Sequence, residues 1–495
     1  MKAADLETPV IQRNVPPLLS RAAILTAAIL VICIGARSVA SWKYWGDLDH
    51  NSPGTWLCMA ADARDGVLYR PIISELGYGG TRYAPLFPLI IAAFMRLGID
   101  PVVSGFIAGL IAAAIAITGL FALMKRLGTP TAIAAALAIS VLAATCTRTI
   151  ILGIKGDLLP AGLALWGLVF VVWSDEKRHS TLGLIVAGIC FALALAVKVT
   201  SIFGIAAATI WLLFRRKYHE AAILALTWVL GVAVAVLVTQ WASDGRAKAI
   251  FLICAGGGGN IGRMLQGPNL LLHDVAHQDR TLLAFWIISI FIIAATRQWT
   301  SLSAILLLVV TAGTILIYGS PGTHLNHLVD MNIAAILVIG TLSAKSRALH
   351  SPVLAVTLLF VILAAVACLR QIGEIRRHDE RGQINSALAD TRTSIKDGPI
   401  LSQDPLLPLI DGERPYMLDP FIFRAIRSRK PEIADQFWQD LDGRHFKAVV
   451  LHAPPSDPAF SSNEGDFGPG FIDRLQRSYA PSSVHGSFYI FMPKK

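Results

Sequence analysis

Charge is scarce in this sequence. Asp, Glu, Lys and Arg make up 15% of the 495 residues, whereas roughly a quarter is usual for a soluble domain. That deficit argues against an ordinary soluble domain. Cysteine is also sparse. The six residues Cys33, Cys58, Cys146, Cys190, Cys254 and Cys368 are scattered, with no C-x-x-C pair. Four of them fall in apolar runs as core filler. Cys58 and Cys254 lie in loops and are the pair available for a cross-link. There is no G-x-x-x-x-G-K-[ST] loop, so nucleotide binding has little support. The net charge of +10 is not carried by a basic stretch interleaved with aromatics, which excludes nucleic acid as a partner.

What the sequence has instead is hydrophobicity: 54% apolar residues and a mean hydropathy of +0.59. The first run covers Leu18 to Ala36. Others lie near 84–98, 102–124, 131–152, 157–173, 181–197, 200–214, 219–241, 281–296, 301–318, 325–343 and 351–369. Their lengths suit a hydrocarbon core of roughly 30 Å, so the chain reads as a polytopic α-helical membrane protein with membrane lipids around it. The first run is expected to stay as an uncleaved helix, although RSVAS at Arg37 faintly resembles a signal-peptidase site. Basic clusters at Lys177-Arg178, Arg215-Arg216-Lys217, Arg297, and Lys345 with Arg347 follow apolar runs. Placed in the cytoplasm, they turn the loops at 41–83, 153–157, 242–280 and 319–324 outward, with everything after Leu369. Run 84–98, opened by Pro85 and Pro88, is short enough to be re-entrant. Run 181–214 is too long for one span and is expected to break at AVKVTS, around Lys198.

Past Arg370 the composition turns charged and rich in Pro and Gly. PILSQDP, RPYMLD, FKAVVLHA and SFYIFMP read as strands, and FIFRAIRSRKPEIADQFWQDL and GFIDRLQRSY as helices. The organisation is therefore a membrane module over 1–370 and an extramembrane α/β domain over 371–495.

The first outer loop breaks the apolar pattern. YWGDLDHNSPGTWL, from Tyr44, carries Asp47, Asp49 and His50. TWLCMAADARDGVLYRP reads as an amphipathic helix along the membrane surface. LGYGGTRYAPLFPL adds Arg82 and Tyr83 before the next run. Further on, KGDLLP sets Lys155 and Asp157 at an outer surface. Asp157 is either a cavity carboxylate or the cap of a helix with Pro160 in its first turn. Lys198 is either a phosphate ligand or a side chain snorkelling to the outer interface. CAGGGGNIGRMLQGP places Arg263 near four glycines, whose amides suit a phosphate or whose freedom suits a closing loop. HLNHLVDMN brings Asn326, and His324, His327 and Asp330 at i, i+3 and i+6, to the start of a span. That face suits hydrogen bonding to sugar or phosphate, with zinc as the sharper alternative.

In this order the motifs resemble the GT-C superfamily of integral-membrane glycosyltransferases, of the protein mannosyltransferase and aminoarabinose transferase type. The resemblance rests on the acidic motif after the first helix, GVLYRP, YAPLFPL, KGDLLP and NHLVDMN, and covers nearly the whole chain. It implies a GT-C fold of about 11 spans with a C-terminal extramembrane α/β domain. It also implies an inverting transferase of the cytoplasmic (inner) membrane, with its active site and C-terminal domain on the periplasmic side. The donor would be a polyprenyl-phosphate- or pyrophosphate-linked sugar, and the acceptor a glycan, lipid or protein of the cell envelope. Asp47 or Asp49 would be the base, since a positioned carboxylate can take the proton of an acceptor hydroxyl. Lys155, Asp157, Lys198, Arg82, Tyr83, Arg263, Asn326, His327 and Asp330 would line the substrate cavity, the cations receiving the phosphate. The family often carries Asn, an aromatic and Glu at the last motif; this chain departs with His327 and Asp330. No cofactor is obligatory in this reading; a divalent cation, if bound, would take Asp47, Asp49 and His50. The alternative function is transport or flipping of lipid-linked sugars.

Overall fold

The structure, a computed structural model, describes residues 16–46, 48, 52–177, 180–255, 261–320, 322–394, 397–458, 460 and 466–495. Its helices begin with α1 (Pro17–Tyr44), α2 (Ser52–Arg64), α3 (Leu86–Arg96), α4 (Pro101–Arg126), α5 (Thr131–Ser140), α6 (Thr145–Leu152) and α7 (Leu158–Glu176). Next come α8 (Thr181–Val197), α9 (Phe203–Phe214), α10 (Tyr218–Ala242), α11 (Arg246–Ala255), α12 (Ile261–Gln278) and α13 (Arg280–Thr296). The bundle ends with α14 (Leu302–Tyr318), α15 (Val329–Leu342), α16 (Arg347–His378) and α17 (Glu380–Arg392). Among the described residues, six helical stretches are long and apolar enough to cross a bilayer, or eight if two bent pairs count as single spans; four shorter apolar helices lie among them.

Small residues let the bundle close. A Cβ on Gly162 of α7 would lie 2.8 Å from the Ala116 amide nitrogen of α4, so the two backbones meet there as small-residue membrane interfaces do. Run 181–214 breaks as expected: α8 stops at Lys198, whose backbone is extended, and α9 starts at Phe203.

Run 131–152 is not the straight crossing the sequence predicts. Helices α5 and α6 meet at 75° around residues 141–144. A break inside a membrane leaves carbonyls that need donors. Asn332 of α15 donates to the Val141 carbonyl at 2.8 Å, and Arg148 donates to those of Leu142 and Ala143. A second bend, of 117°, separates α12 from α13. At that corner buried Asp279 accepts the Leu282 amide at 3.1 Å, capping α13, and the Cys146 amide at 2.7 Å. One carboxylate thus ties together two helix starts. The 242–280 stretch, read as a loop, is therefore largely helical.

Helix α2 also departs from expectation. Instead of burying one face, as an amphipathic helix would, it has residues Pro53 to Ala63 all buried. The C-terminal domain sits on it: Thr55 Oγ1 donates to the Leu418 carbonyl at 3.1 Å, and Cys58 Sγ to that of Pro405 at 3.3 Å. Arg70, fully buried, spans both carboxylate oxygens of Asp62 and donates to the Pro415 carbonyl at 2.7 Å. Arg414 reaches back to Asp62 and Asp65. The membrane helix α16 runs unbroken through position 370 to His378, so backbone and composition change at different places.

The loop after α2 pairs β1 (Ile73–Ser74) with β2 (Gly77–Tyr78). The C-terminal domain contains β3 (Ile400–Ser402), α18 (Leu406–Ile410), α19 (Pro420–Arg427), α20 (Asp435–Asp442), β4 (Ala448–Leu451), α21 (Phe471–Ser478), β5 (Tyr479–His485) and β6 (Phe488–Pro493). The sheet order is β3-β4-β6-β5, with β3 parallel to β4 and the other pairs antiparallel. Three of the four expected strands are in it. RPYMLD is not, because its Met417 bridges Tyr78 of the first loop instead. The sequence reading missed β5, and the helix expected over 421–441 is interrupted where Pro431 starts a 3-10 turn. Cys58 and Cys254 are both buried and unbonded to each other.

Candidate active site

A cavity of about 500 Å³ opens where the ends of α2, α8 and α14 and the turns before α7 and α15 meet the C-terminal domain. The chain reaches it by a strained turn. Helix α6 ends at Gly153, and Ile154 then takes a φ of +49°. A β-branched residue in the left-handed region costs on the order of 1–3 kcal/mol and persists only where its surroundings impose it. Ile154 is fully buried, and the turn delivers Lys155 and Asp157 to the cavity wall.

Asp157 occupies the cap position of α7 yet makes no capping hydrogen bond. Its carboxylate turns to the cavity instead, where Lys198 Nζ pairs with it and Asn326 Nδ2 donates at 3.0 Å. Lys198 Nζ also lies 3.3 Å from His327 Nδ1. Three segments distant in sequence thus converge on one carboxylate. Burial alone would raise the Asp157 pKa; Lys198 and Asn326 outweigh it and hold the group below the usual carboxylate range. The break between α8 and α9 makes this possible, because the extended Lys198 backbone turns the side chain inward instead of along a helix face.

The opposite wall is aromatic and cationic. Trp56 stacks on Tyr83 with ring centroids 4.2 Å apart and meets Phe87 edge-on at 5.3 Å. Burial pushes the Tyr83 hydroxyl up to about 12, so it stays protonated. Arg82 donates to the Gly322 carbonyl at 3.4 Å and lies 5.0 Å over the Phe421 ring. Gly322 has a φ of +75°, and a Cβ there would lie 2.5 Å from the Arg82 guanidinium; glycine is what lets these two walls approach.

The remaining wall was not legible in the sequence. Asp419, Phe421, Arg424 and Asp466 come from the C-terminal domain. Arg424 pairs with Asp466 at 2.9 Å and lies 5.4 Å from the Phe421 ring, which thus has a guanidinium contact from each side of the interface. Asp419 caps α19 by accepting the Ile422 amide at 3.1 Å. Burial pushes its carboxyl up to about 6, against the opposing effects of that amide and Arg82. The Asp419-Pro420 pair signals a helix start, but nothing in it signals docking onto the bundle.

Of the residues proposed from sequence, Arg82, Tyr83, Lys155, Asp157, Lys198, Asn326 and His327 line the cavity together. Asp330 sits in the first turn of α15, outside the lining. Arg263 also lies outside it, on α12 with its carbonyl pressed against Gly319 at the end of α14. Asp47, Asp49 and His50 lie outside the described residues, as does the Gly256–Gly259 run. Among the described residues no group of three or more His, Cys, Asp or Glu is arranged to hold a metal, so His324, His327 and Asp330 do not form a zinc set.

Lys155, Lys198, Arg82 and Arg424 outnumber Asp157, Asp419 and Asp466 in this lining. Such a cavity favours an anion beside a hydrogen-bonding, aromatic-walled compartment. Residues 82–241 match the family described as dolichyl-phosphate-mannose-protein mannosyltransferase. No curated protein matches the chain in sequence. The fold is similar to that of ArnT from Cupriavidus metallidurans bound to undecaprenyl phosphate, with a TM-score of 0.60 and 13% identity over 93% of this chain and 97% of that one. It is also similar to the oligosaccharyltransferase AglB from Archaeoglobus fulgidus in complex with an inhibitory peptide and a dolichol-phosphate. There the TM-score is 0.55 at 12% identity, over 95% of this chain and 74% of that one. Residues 82–241 are thus similar to a mannosyltransferase family, and the chain as a whole has the fold of these solved membrane proteins.

Proposed function

We propose that the chain moves a sugar, with inversion, from a polyprenyl-phosphate-linked donor to a cell-envelope acceptor on the outer face of the membrane. The observation that carries this reading is the convergence of Lys155, Lys198 and Arg82 on one cavity roofed by the C-terminal domain. The outward side is part of the proposal, and charge supports it. Asp157 stands at one end of the 19-residue helix α7, about 28 Å long. At the other end Asp175 pairs with Arg215 and Lys217, and Glu176 with Arg126. Basic residues gather at cytoplasmic ends, which supports the reading that the cavity faces outward.

In this scheme Asp47 or Asp49 takes the proton of the acceptor hydroxyl as its oxygen bonds to the anomeric carbon. The bond from that carbon to the phosphate oxygen breaks, its electron pair leaving with the phosphate. Lys155, Lys198 and Arg82 stabilise the charge that collects there. The test is transfer activity of Asp47→Asn and Asp49→Asn. At least one should lose roughly a hundredfold or more; full activity in both refutes the base assignment. Activity that survives chelation by EDTA would separate this scheme from one with a divalent ion at Asp47, Asp49 and His50.

A further inference from the structure

One wall of the cavity belongs to the C-terminal domain, and α19 builds it. Arg424 and Arg427 stand at i and i+3 on that helix, neighbours on its surface. Arg427 fastens the loop over 466–470 with both ends of its guanidinium. Nη1 donates to the Phe467 carbonyl at 2.9 Å and Nη2 to that of Pro469 at 2.7 Å. Gly468 between them has a φ of +91°, and a Cβ there would lie 2.0 Å from Arg427 Nη1, so glycine lets the loop close onto the helix. The fastened loop sets Asp466 beside Arg424, at 2.9 Å. Arg424 is engaged far less than Arg427. Its side chain is 28% exposed and lines the cavity, and among the described residues it has one ion pair and one ring contact. A guanidinium carries five N–H donors in a rigid planar fork, so most of its donors remain available to a ligand.

We propose that Arg424 reads the hydroxyls of the donor sugar, that the C-terminal domain thereby selects the sugar, and that the sugar is a neutral hexose; the inference rests on the transferase reading above. Reach supports it. The guanidinium carbons of Arg82 and Arg424 lie 5.0 and 5.4 Å from the centre of the same ring, Phe421, and so within about 10 Å of each other. A phosphate held at Arg82 therefore leaves the pyranose attached to it within range of Arg424. Charge decides what kind of sugar fits. Asp419 and Asp466 stand on the same wall as Arg424 and repel a second phosphate or a sugar carboxylate. Arg82 and Arg424 repel the ammonium of an amino sugar. Hydroxyls meet neither penalty, since they accept from a guanidinium and donate to a carboxylate. A sugar lacking the hydroxyl that Arg424 reads leaves the guanidinium without that partner, which is how a polar site discriminates.

The test titrates the full chain in nanodiscs with undecaprenyl phosphate, undecaprenyl phosphoglucose, undecaprenyl phosphomannose and undecaprenyl phosphoaminoarabinose, read by microscale thermophoresis. Wild type should bind at least one of the two hexose donors roughly tenfold more tightly than undecaprenyl phosphate, the scale of one charge-assisted hydrogen bond. Arg424→Lys keeps a positive charge beside Asp466 but not the planar fork. It should keep the thermal midpoint and the affinity for undecaprenyl phosphate, and lose most of the hexose preference. Arg82→Ala should instead weaken all four ligands alike. The proposal is overturned if neither hexose donor binds more tightly than undecaprenyl phosphate, if the aminoarabinose donor binds more tightly than both, or if Arg424→Lys keeps the preference. Equal losses for undecaprenyl phosphate and the hexose donor in Arg424→Lys also overturn it, because Arg424 would then serve the phosphate. Failure of wild type to bind undecaprenyl phosphate would instead refute the donor reading.

Discussion

Replacing Lys198 with methionine separates two roles that the geometry gives it. Its ammonium pairs with Asp157, whose side chain is only 7% exposed against 23% for the lysine. Removing one partner of a buried pair strands the other charge, at about 3–5 kcal/mol. The half-open lysine and the remaining Asn326 bond place Lys198→Met near the lower end, about 3 kcal/mol. Adding Asp157→Asn removes the stranded charge, and the double variant should regain stability to within about 1 kcal/mol of wild type. Donor binding should behave differently. If Lys198 also contacts the donor phosphate, both Lys198→Met and the double variant lose one charge-assisted contact. That loss is about 1.5–3 kcal/mol, or roughly 10- to 100-fold in affinity. The assay pairs thermal unfolding of the purified chain with undecaprenyl phosphate titration of the four members of the cycle. If affinity returns together with stability in the double variant, Lys198 serves only to neutralise Asp157, and its contact with the donor is wrong.

Other outcomes follow from the interface and the bundle. Arg70→Met strands Asp62 beside Arg414 alone and should cost about 3 kcal/mol or more, seen as a lower thermal midpoint and faster proteolytic release of the C-terminal domain; an unchanged midpoint would show that the network does not hold the domain. Asp419, pushed up to about 6, titrates near 3.9 when unfolded. Between those values the folded chain keeps a proton that the unfolded chain has released. Its contribution to stability therefore falls as pH rises from about 4 to 6, by roughly 3 kcal/mol in all, and is flat above. Asn keeps the capping oxygen, so thermal unfolding of Asp419→Asn across that range should lack this component. Asn332→Leu leaves the Val141 carbonyl unpaired at the helix break and should cost about 1–3 kcal/mol; a stability change within experimental error would mean the break is satisfied another way.

The membrane class and much of the cavity were legible because their signals are local. Apolar run length gives spans, and a basic cluster gives a side. Lys155, Asp157 and Lys198 stood out because charge at the edge of an apolar run is costly without a partner. That the partner of Lys198 is Asp157, with Asn326 and His327 beside it, was not legible: those contacts cross 41 to 169 positions of sequence. Arg263 is a different case. Glycine-rich surroundings and a positive charge suggested a phosphate site, and α12 sets the residue against Gly319 at the end of α14, outside the cavity lining.

The sequence by itself determined that this chain lives in a bilayer, that its charges gather at the ends of spans, and that its last quarter is a separate kind of surface. These follow from composition and periodicity, which act along the chain. The tertiary structure decided that α2 is buried on all sides, since α3 packs on it and the segments around Pro405, Arg414 and Leu418 dock over it. It also decided that the C-terminal domain supplies Asp419, Phe421 and Arg424 to the cavity wall. Those residues sit in short elements with ordinary local patterns. Their meaning comes from what the folded bundle places opposite them, and a linear sequence holds no record of that neighbour.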